Sequence, residues 1–89
     1  MSKCNFTLIL RGSIEETINR VRTQIEDNKG VFTGDIQSGS FHVNVLGAIS
    51  GAYTISGQQM EININSKPLF ISCNQIETFM RNNLGDAVL

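Results

Sequence analysis

The chain has 89 residues, of which 40% are hydrophobic and 17% are charged, and its formal net charge is −1. This length suits one domain with a single thin core. The seven basic residues are scattered, which argues against the clustered positive surface that a nucleic-acid backbone requires. No stretch approaches the ~18 consecutive apolar residues that predict a membrane span.

The first two elements are a strand and an amphipathic helix. Residues 4–10 alternate apolar and polar side chains, which predicts a strand. Ser13 and Glu16 have the spacing of a capping box, which predicts a helix beginning after Ser13. The apolar stripe of this helix consists of Ile14, Ile18, Val21 and Ile25. Asn28-Lys29-Gly30 should end it, with Gly30 in the left-handed closing conformation.

Four strands should follow, at residues 31–36, 41–45, 49–55 and 60–65. The first of them is weak, and Ser38-Gly39 is predicted to form the turn after it. Ser56-Gly57-Gln58 should form the last turn of the sheet. The side chains predicted on the buried face are Phe41, Val43, Val45, Ile49, Tyr53, Ile55, Met60, Ile62 and Ile64. Those predicted on the solvated face are His42, Asn44, Ser50, Thr54, Glu61 and Asn63.

The last element is a second capped helix. Ser72 and Gln75 repeat the capping-box spacing, and Gly85 should end the helix, with residues 86–89 fraying. Its apolar stripe is Ile76, Phe79, Met80 and Leu84. The order β-α-β-β-β-β-α predicts an α+β fold, a two-layer sandwich in which two helices cover one face of an antiparallel sheet of about five strands. We expect residues 1–89 to form one domain.

This order resembles that of a small bacterial family, the polyhydroxyalkanoic acid system (granule-associated) proteins, a minimal version of the helix-grip, START-like fold. The features that carry the resemblance are the run Phe32-Thr33-Gly34-Asp35, the pair Gly47 and Gly51, and the closing run Gln59 to Asn65. The resemblance covers roughly residues 4 to 85. It implies a soluble, non-enzymatic domain with an apolar groove under its helices, and it carries over no functional residue.

Catalytic and metal-binding patterns are weak. His42 is the single histidine and is predicted at the surface, so we expect neither a histidine-centred metal site nor a nucleophile–base relay. Cys4 and Cys73, 69 positions apart, are expected to be free thiols, with Cys73 structural rather than reactive. Residues 47–51 could be a phosphate-binding loop, but strand pattern on both sides favours a bulge, a bend or room for a helix. We therefore predict no enzyme activity, no cofactor and no metal.

The large apolar side chains allow two interpretations, a simple core or a pocket between sheet and helices. These large apolar side chains are Phe41, Tyr53, Met60, Phe70, Phe79 and Met80. The candidate ligand-binding residues are Phe41, Val43, Tyr53, Ile55, Met60 and Phe79. The hydroxyl of Tyr53 would need a partner, and a ligand could supply it.

Two functions therefore compete at this stage. The first is a cytoplasmic domain that binds an apolar or lipid-like small molecule between sheet and helices. The alternative is a structural or protein-interaction module that forms a homodimer through the strand at 31–36 or through the uncovered sheet face.

Overall fold

The computed structural model describes residues 4–44 and 47–88, and the elements in those ranges follow the predicted order β-α-β-β-β-β-α. The elements are β1 (Cys4–Ile9), α1 (Ile14–Asp27), β2 (Val31–Gly34), β3 (Ser38–Asn44), β4 (Ala48–Ser56), β5 (Gln59–Ser66), α2 (Cys73–Leu84) and a final 3₁₀ turn (Gly85–Ala87). The strands form one antiparallel sheet in the order β1-β5-β4-β3-β2. The α+β prediction is confirmed. The predictions for Val45 and Leu89 fall outside the described residues.

The first helix is anchored by its apolar stripe. The Ser13 hydroxyl accepts a hydrogen bond from the backbone N–H of Glu16 at 3.3 Å, and the helix buries Thr17, Ile18, Val21 and Ile25. The left-handed residue after the helix is Lys29, with φ 64°, so the prediction for Gly30 was wrong. Gly30 is needed for a different reason, because a Cβ there would lie 2.6 Å from the carbonyl oxygen of His42.

The β2–β3 connection lies earlier than predicted. Ser38 and Gly39 belong to β3, and the chain turns at residues 35–37. The Asp35 carboxylate accepts hydrogen bonds from the backbone N–H groups of Gln37 at 2.8 Å and Ser38 at 3.1 Å. These bonds favour the charged form and lower the pKa of Asp35 below its ordinary value. The predicted turn failed because Asp35, three residues after Phe32, the last apolar position of β2, supplies a stronger turn signal than Ser38-Gly39.

The predicted alternation of the central strands is confirmed. The buried side chains of the sheet include Leu8, Phe41, Val43, Ile49, Tyr53, Met60, Ile62 and Ile64. The opposite face carries small and polar side chains that are exposed or half-buried, with His42, Thr54 and Glu61 among the exposed ones. Gly57, with φ 61°, allows the two-residue turn that joins β4 to β5.

The two cysteines form a disulfide, with their Cα atoms 5.5 Å apart. The prediction of free thiols was therefore wrong. The register places Cys4 at one end of β1, and the capping of α2 at Ser72 places Cys73 on the first residue of that helix. Sequence separation concealed this proximity, because only the crossing of α2 over β1 brings positions 4 and 73 together.

Two further predictions near α2 were wrong. Phe70 is not in the core but 80% exposed, next to Leu69 at 83%. Residues 86–88 do not fray, since Val88 is buried and pairs with Leu10, and the backbone N–H of Arg11 donates to the carbonyl of Ala87. Residues 86–88 are thus held against the end of β1. Burial of the Val88 side chain offsets the conformational entropy that is lost when this segment is ordered.

The helices cover opposite edges of the same sheet face. Helix α1 contacts β2 and β3, whereas α2 contacts β1. The central strands β4 and β5 lie between these edges in the sheet. This arrangement leaves a groove along the middle of the sheet, between the two helices. In the described ranges, no helix is long and apolar enough to cross a membrane.

An apolar groove as the candidate functional site

The groove has a sheet floor and two helix walls. The floor is made by Phe41, Val43, Ile49, Met60 and Ile64, and the walls by Val21 and Ile25 of α1 and by Ile76, Phe79, Met80 and Leu84 of α2. These side chains leave about 80 Å³ of space unfilled. A typical core is packed with few voids larger than a water molecule, so this space is a distinct feature of the fold.

The rim of the groove carries carboxamide side chains. They are Gln24 of α1, Asn28 at the C-terminal cap of α1, and Asn83 of α2. The Gln24 side-chain amide donates to the carbonyl oxygen of Asn83 at 2.8 Å, which links the two walls. Arg20 adds a second link by donating to the carbonyl oxygen of Leu84 at 2.8 Å. Both links fall in the last turn of α2, so they fix that end of the wall.

Four of the six candidate ligand-binding residues line this groove. Phe41, Val43 and Met60 lie in its floor, and Phe79 lies in the α2 wall with 36% of its surface exposed. Tyr53 and Ile55 are not among the lining residues. Both lie on the predicted sheet face, farther along β4 than Ile49, which does line the groove.

Tyr53 finds its partner within the protein. Its hydroxyl donates to the backbone carbonyl of Asp35 at 2.6 Å, and its ring stacks on Phe32 with centroids 5.7 Å apart. The guanidinium of Arg22 lies 5.2 Å from the centre of the Phe32 ring. Burial raises the pKa of Tyr53, and the charge of Asp35 acts in the same direction while Arg22 opposes it. The hypothesis that a ligand partners this hydroxyl was wrong.

Gly51 shapes the floor of the groove. The pairing of β4 with β5 shifts register between Ser50 and Gly51, as expected for a bulge. A Cβ on Gly51 would lie 2.8 Å from the ring of Phe41 and 2.7 Å from the carbonyl oxygen of Asn63. The absent side chain therefore lets the Phe41 ring lie across the floor. The sequence predicted a bend or bulge here, but not which ring it accommodates.

Sequence reasoning missed most of the walls and all of the rim. Helical periodicity places Val21, Ile25 and Ile76 on apolar stripes. It does not predict whether such a stripe packs against a filled core or borders a gap. The carboxamides had no signal at all, because Asn and Gln on a helix are ordinary surface residues. Only the spacing of the two helices turns these residues into a site.

The outer sheet face contains cross-strand polar pairs, among them Asn5 with Asn63 and His42 with Ser50. His42 Nδ1 and the Ser50 hydroxyl are 2.6 Å apart on neighbouring strands, directly opposite each other in the register. His42 is exposed, as predicted. Across residues 4–44 and 47–88, no group of three or more His, Cys, Asp or Glu side chains comes together in a way that could hold a metal ion.

Comparison of the chain with protein-family models, curated proteins and solved structures finds no match. The resemblance to the polyhydroxyalkanoic acid system proteins therefore stays a prediction.

Proposed function

We propose that this protein is a small, non-enzymatic binding domain that holds a small apolar ligand in the groove between its sheet and its helices. The observation that carries the proposal is the unfilled space of about 80 Å³ lined by apolar side chains of five elements. Concave, mostly apolar clefts with a few polar groups at the edge are the usual form of a ligand site.

The volume favours a small ligand over a lipid chain. It is about half of the ~150 Å³ of an engineered cavity that binds benzene. A single ring is therefore about the largest body that the groove holds, with part of the ring projecting from its open side. A long acyl chain would require α2 to move outward.

Fluorobenzene is a suitable probe, because its fluorine resonance reports binding directly. We expect wild-type protein to broaden and shift that resonance in a saturable manner. Met80→Trp should reduce the effect, since Met80 is half-buried in the groove wall and the larger ring would fill the space. Thr78→Trp is the matched control, because Thr78 is exposed on the same helix and outside the groove. A fluorine resonance unchanged by the wild-type protein would refute the proposal.

A homodimer is the second candidate, and exposed apolar side chains at the β2 edge favour it. Val31 is 63% exposed and Ile36 is 50% exposed, next to the unpaired edge of β2. An edge strand with such side chains can pair with a second copy. Light scattering should then show a dimer that Val31→Lys dissociates. A monomer at all concentrations would exclude this candidate.

The disulfide bears on the proposed location. Disulfides persist in oxidising compartments and are rare in the cytosol, where thiols are kept reduced. The Cys4–Cys73 bond therefore counts against the cytoplasmic prediction. Alkylating the protein in intact cells before lysis would test this, since an oxidised pair resists the reagent.

A further inference from the structure

The chemistry of the groove indicates which ligands it would accept, provided that it binds ligands as proposed above. The described residues that line it include no ionisable side chain. Its polar members are the three carboxamides of the rim, Gln24, Asn28 and Asn83. A charged ligand group would lose its water in this groove without gaining an opposite charge, which is costly.

Each rim carboxamide uses one of its two amide N–H groups for a hydrogen bond within the protein. The Gln24 amide donates to the carbonyl oxygen of Asn83, that of Asn28 to the carbonyl oxygen of Gln24, and that of Asn83 to the carbonyl oxygen of Phe79, each at 2.8 Å. Each bond fixes the orientation of its side chain. The side-chain oxygens accept from no donor among the described residues, so they are acceptors available to a ligand.

We propose that the groove selects neutral ligands with a small apolar body and a hydrogen-bond donor at one end, such as a hydroxyl group. The apolar body contacts the floor, and the donor reaches a carboxamide oxygen at the rim. A carboxylate is rejected because its charge would lose water in a groove whose lining supplies no opposite charge.

Three compounds of similar size separate these possibilities: fluorobenzene, phenol and benzoate. Amide shifts of the groove residues would be followed by NMR during titration with each. We expect phenol to bind about fivefold more tightly than fluorobenzene, which corresponds to one hydrogen bond. Benzoate should give no saturable shift.

The rim is tested by a pair of variants on α2. Asn83→Leu removes one of the three carboxamide oxygens and should lower the affinity for phenol relative to that for fluorobenzene. Asn82→Leu changes the adjacent exposed residue, which does not line the groove, and should preserve the difference. Circular dichroism of both variants would verify the fold.

The outcomes distinguish this inference from the proposed function. If fluorobenzene binds as tightly as phenol, or if benzoate binds best, the selectivity is refuted while the groove remains a binding site. If Asn82→Leu and Asn83→Leu change the affinity for phenol equally, the rim carboxamides do not recognise the hydrogen-bond donor of the ligand. If none of the three compounds shifts the groove amides, the proposed function itself fails.

Discussion

The two walls of the groove are held in different ways. Helix α1 buries four side chains, including the hydroxyl-bearing Thr17. Helix α2 is almost as long but buries only Ile76 and Leu84. Its side facing the groove has little to pack against. A helix that borders an open space thus lacks the burial that normally stabilises helices in proteins.

The attachments of α2 lie at its two ends. A disulfide holds its first residue, and Ser72 and Gln75 form both halves of a capping box in front of it. The links from Arg20 and Gln24 hold its last turn. Between them, Phe79 and Met80 are left partly exposed along the groove. Anchoring at the ends lets the middle of the wall stay free for a ligand.

Removal of the disulfide should have the largest effect. In the loop-closure model, a cross-link between residues 69 positions apart stabilises the fold by about 4 kcal/mol. We expect Cys4→Ser/Cys73→Ser to lower the free energy of unfolding in urea by about that amount. Hydrogen exchange of the folded variant should accelerate more in α2 than in α1. Wild-type protein with added reductant, which breaks the same bond without a substitution, is the control, and equal acceleration in both helices would contradict the end-anchoring of α2.

Truncation of one side chain from each helix should sharpen the contrast. Ile18 of α1 is 2% exposed, and Ile18→Ala should cost about 3 kcal/mol of unfolding free energy. Phe79 of α2 is 36% exposed beside the groove, and Phe79→Ala should cost about 1 kcal/mol despite the larger side chain. Urea unfolding of both variants measures the difference. Equal costs would mean that the groove wall is packed as tightly as the core.

The helix caps provide a smaller comparison. Ser72→Ala removes one half of a complete capping box and should cost about 1 kcal/mol. Ser13→Ala removes a bond of 3.3 Å in front of a well-buried helix and should cost about 0.5 kcal/mol. Urea unfolding gives both values, with hydrogen exchange locating the loss. A larger loss of unfolding free energy for Ser13→Ala than for Ser72→Ala would contradict the stronger dependence of α2 on its cap.

Sequence periodicity predicted the sheet and both helices because each stripe or alternation follows from which side must be buried. It could not predict the gap between the walls, which depends on how far apart α1 and α2 lie on the sheet. The same limit explains Tyr53, whose hydroxyl bonds to a carbonyl 18 positions away. It also explains the disulfide, since pairing of Cys4 with Cys73 requires the path of α2 over β1.

Tyr53 provides the most delicate test, because it reports on the α1 side of the protein alone. It is the single tyrosine, and the chain has no tryptophan, so absorbance at alkaline pH follows its ionisation without interference. Burial and the charge of Asp35 raise the pKa of Tyr53 in the folded state. The stabilisation from its protonated hydroxyl is therefore complete below the unfolded pKa of about 10 and is lost as pH rises through the folded pKa.

We expect the native titration midpoint to lie above that of the protein unfolded in urea. The Cys4→Ser/Cys73→Ser variant should keep the raised midpoint as long as it remains folded, because Tyr53 stacks on Phe32, whose ring contacts the guanidinium of Arg22 in α1. Tyr53 is distant from the disulfide in the sheet, since β4 and β1 are separated by β5. A midpoint that falls to the unfolded value in the folded variant would mean that loosening α2 also opens the α1 side. The two walls would then be one cooperative unit, and the ends of α2 would anchor the whole helical layer.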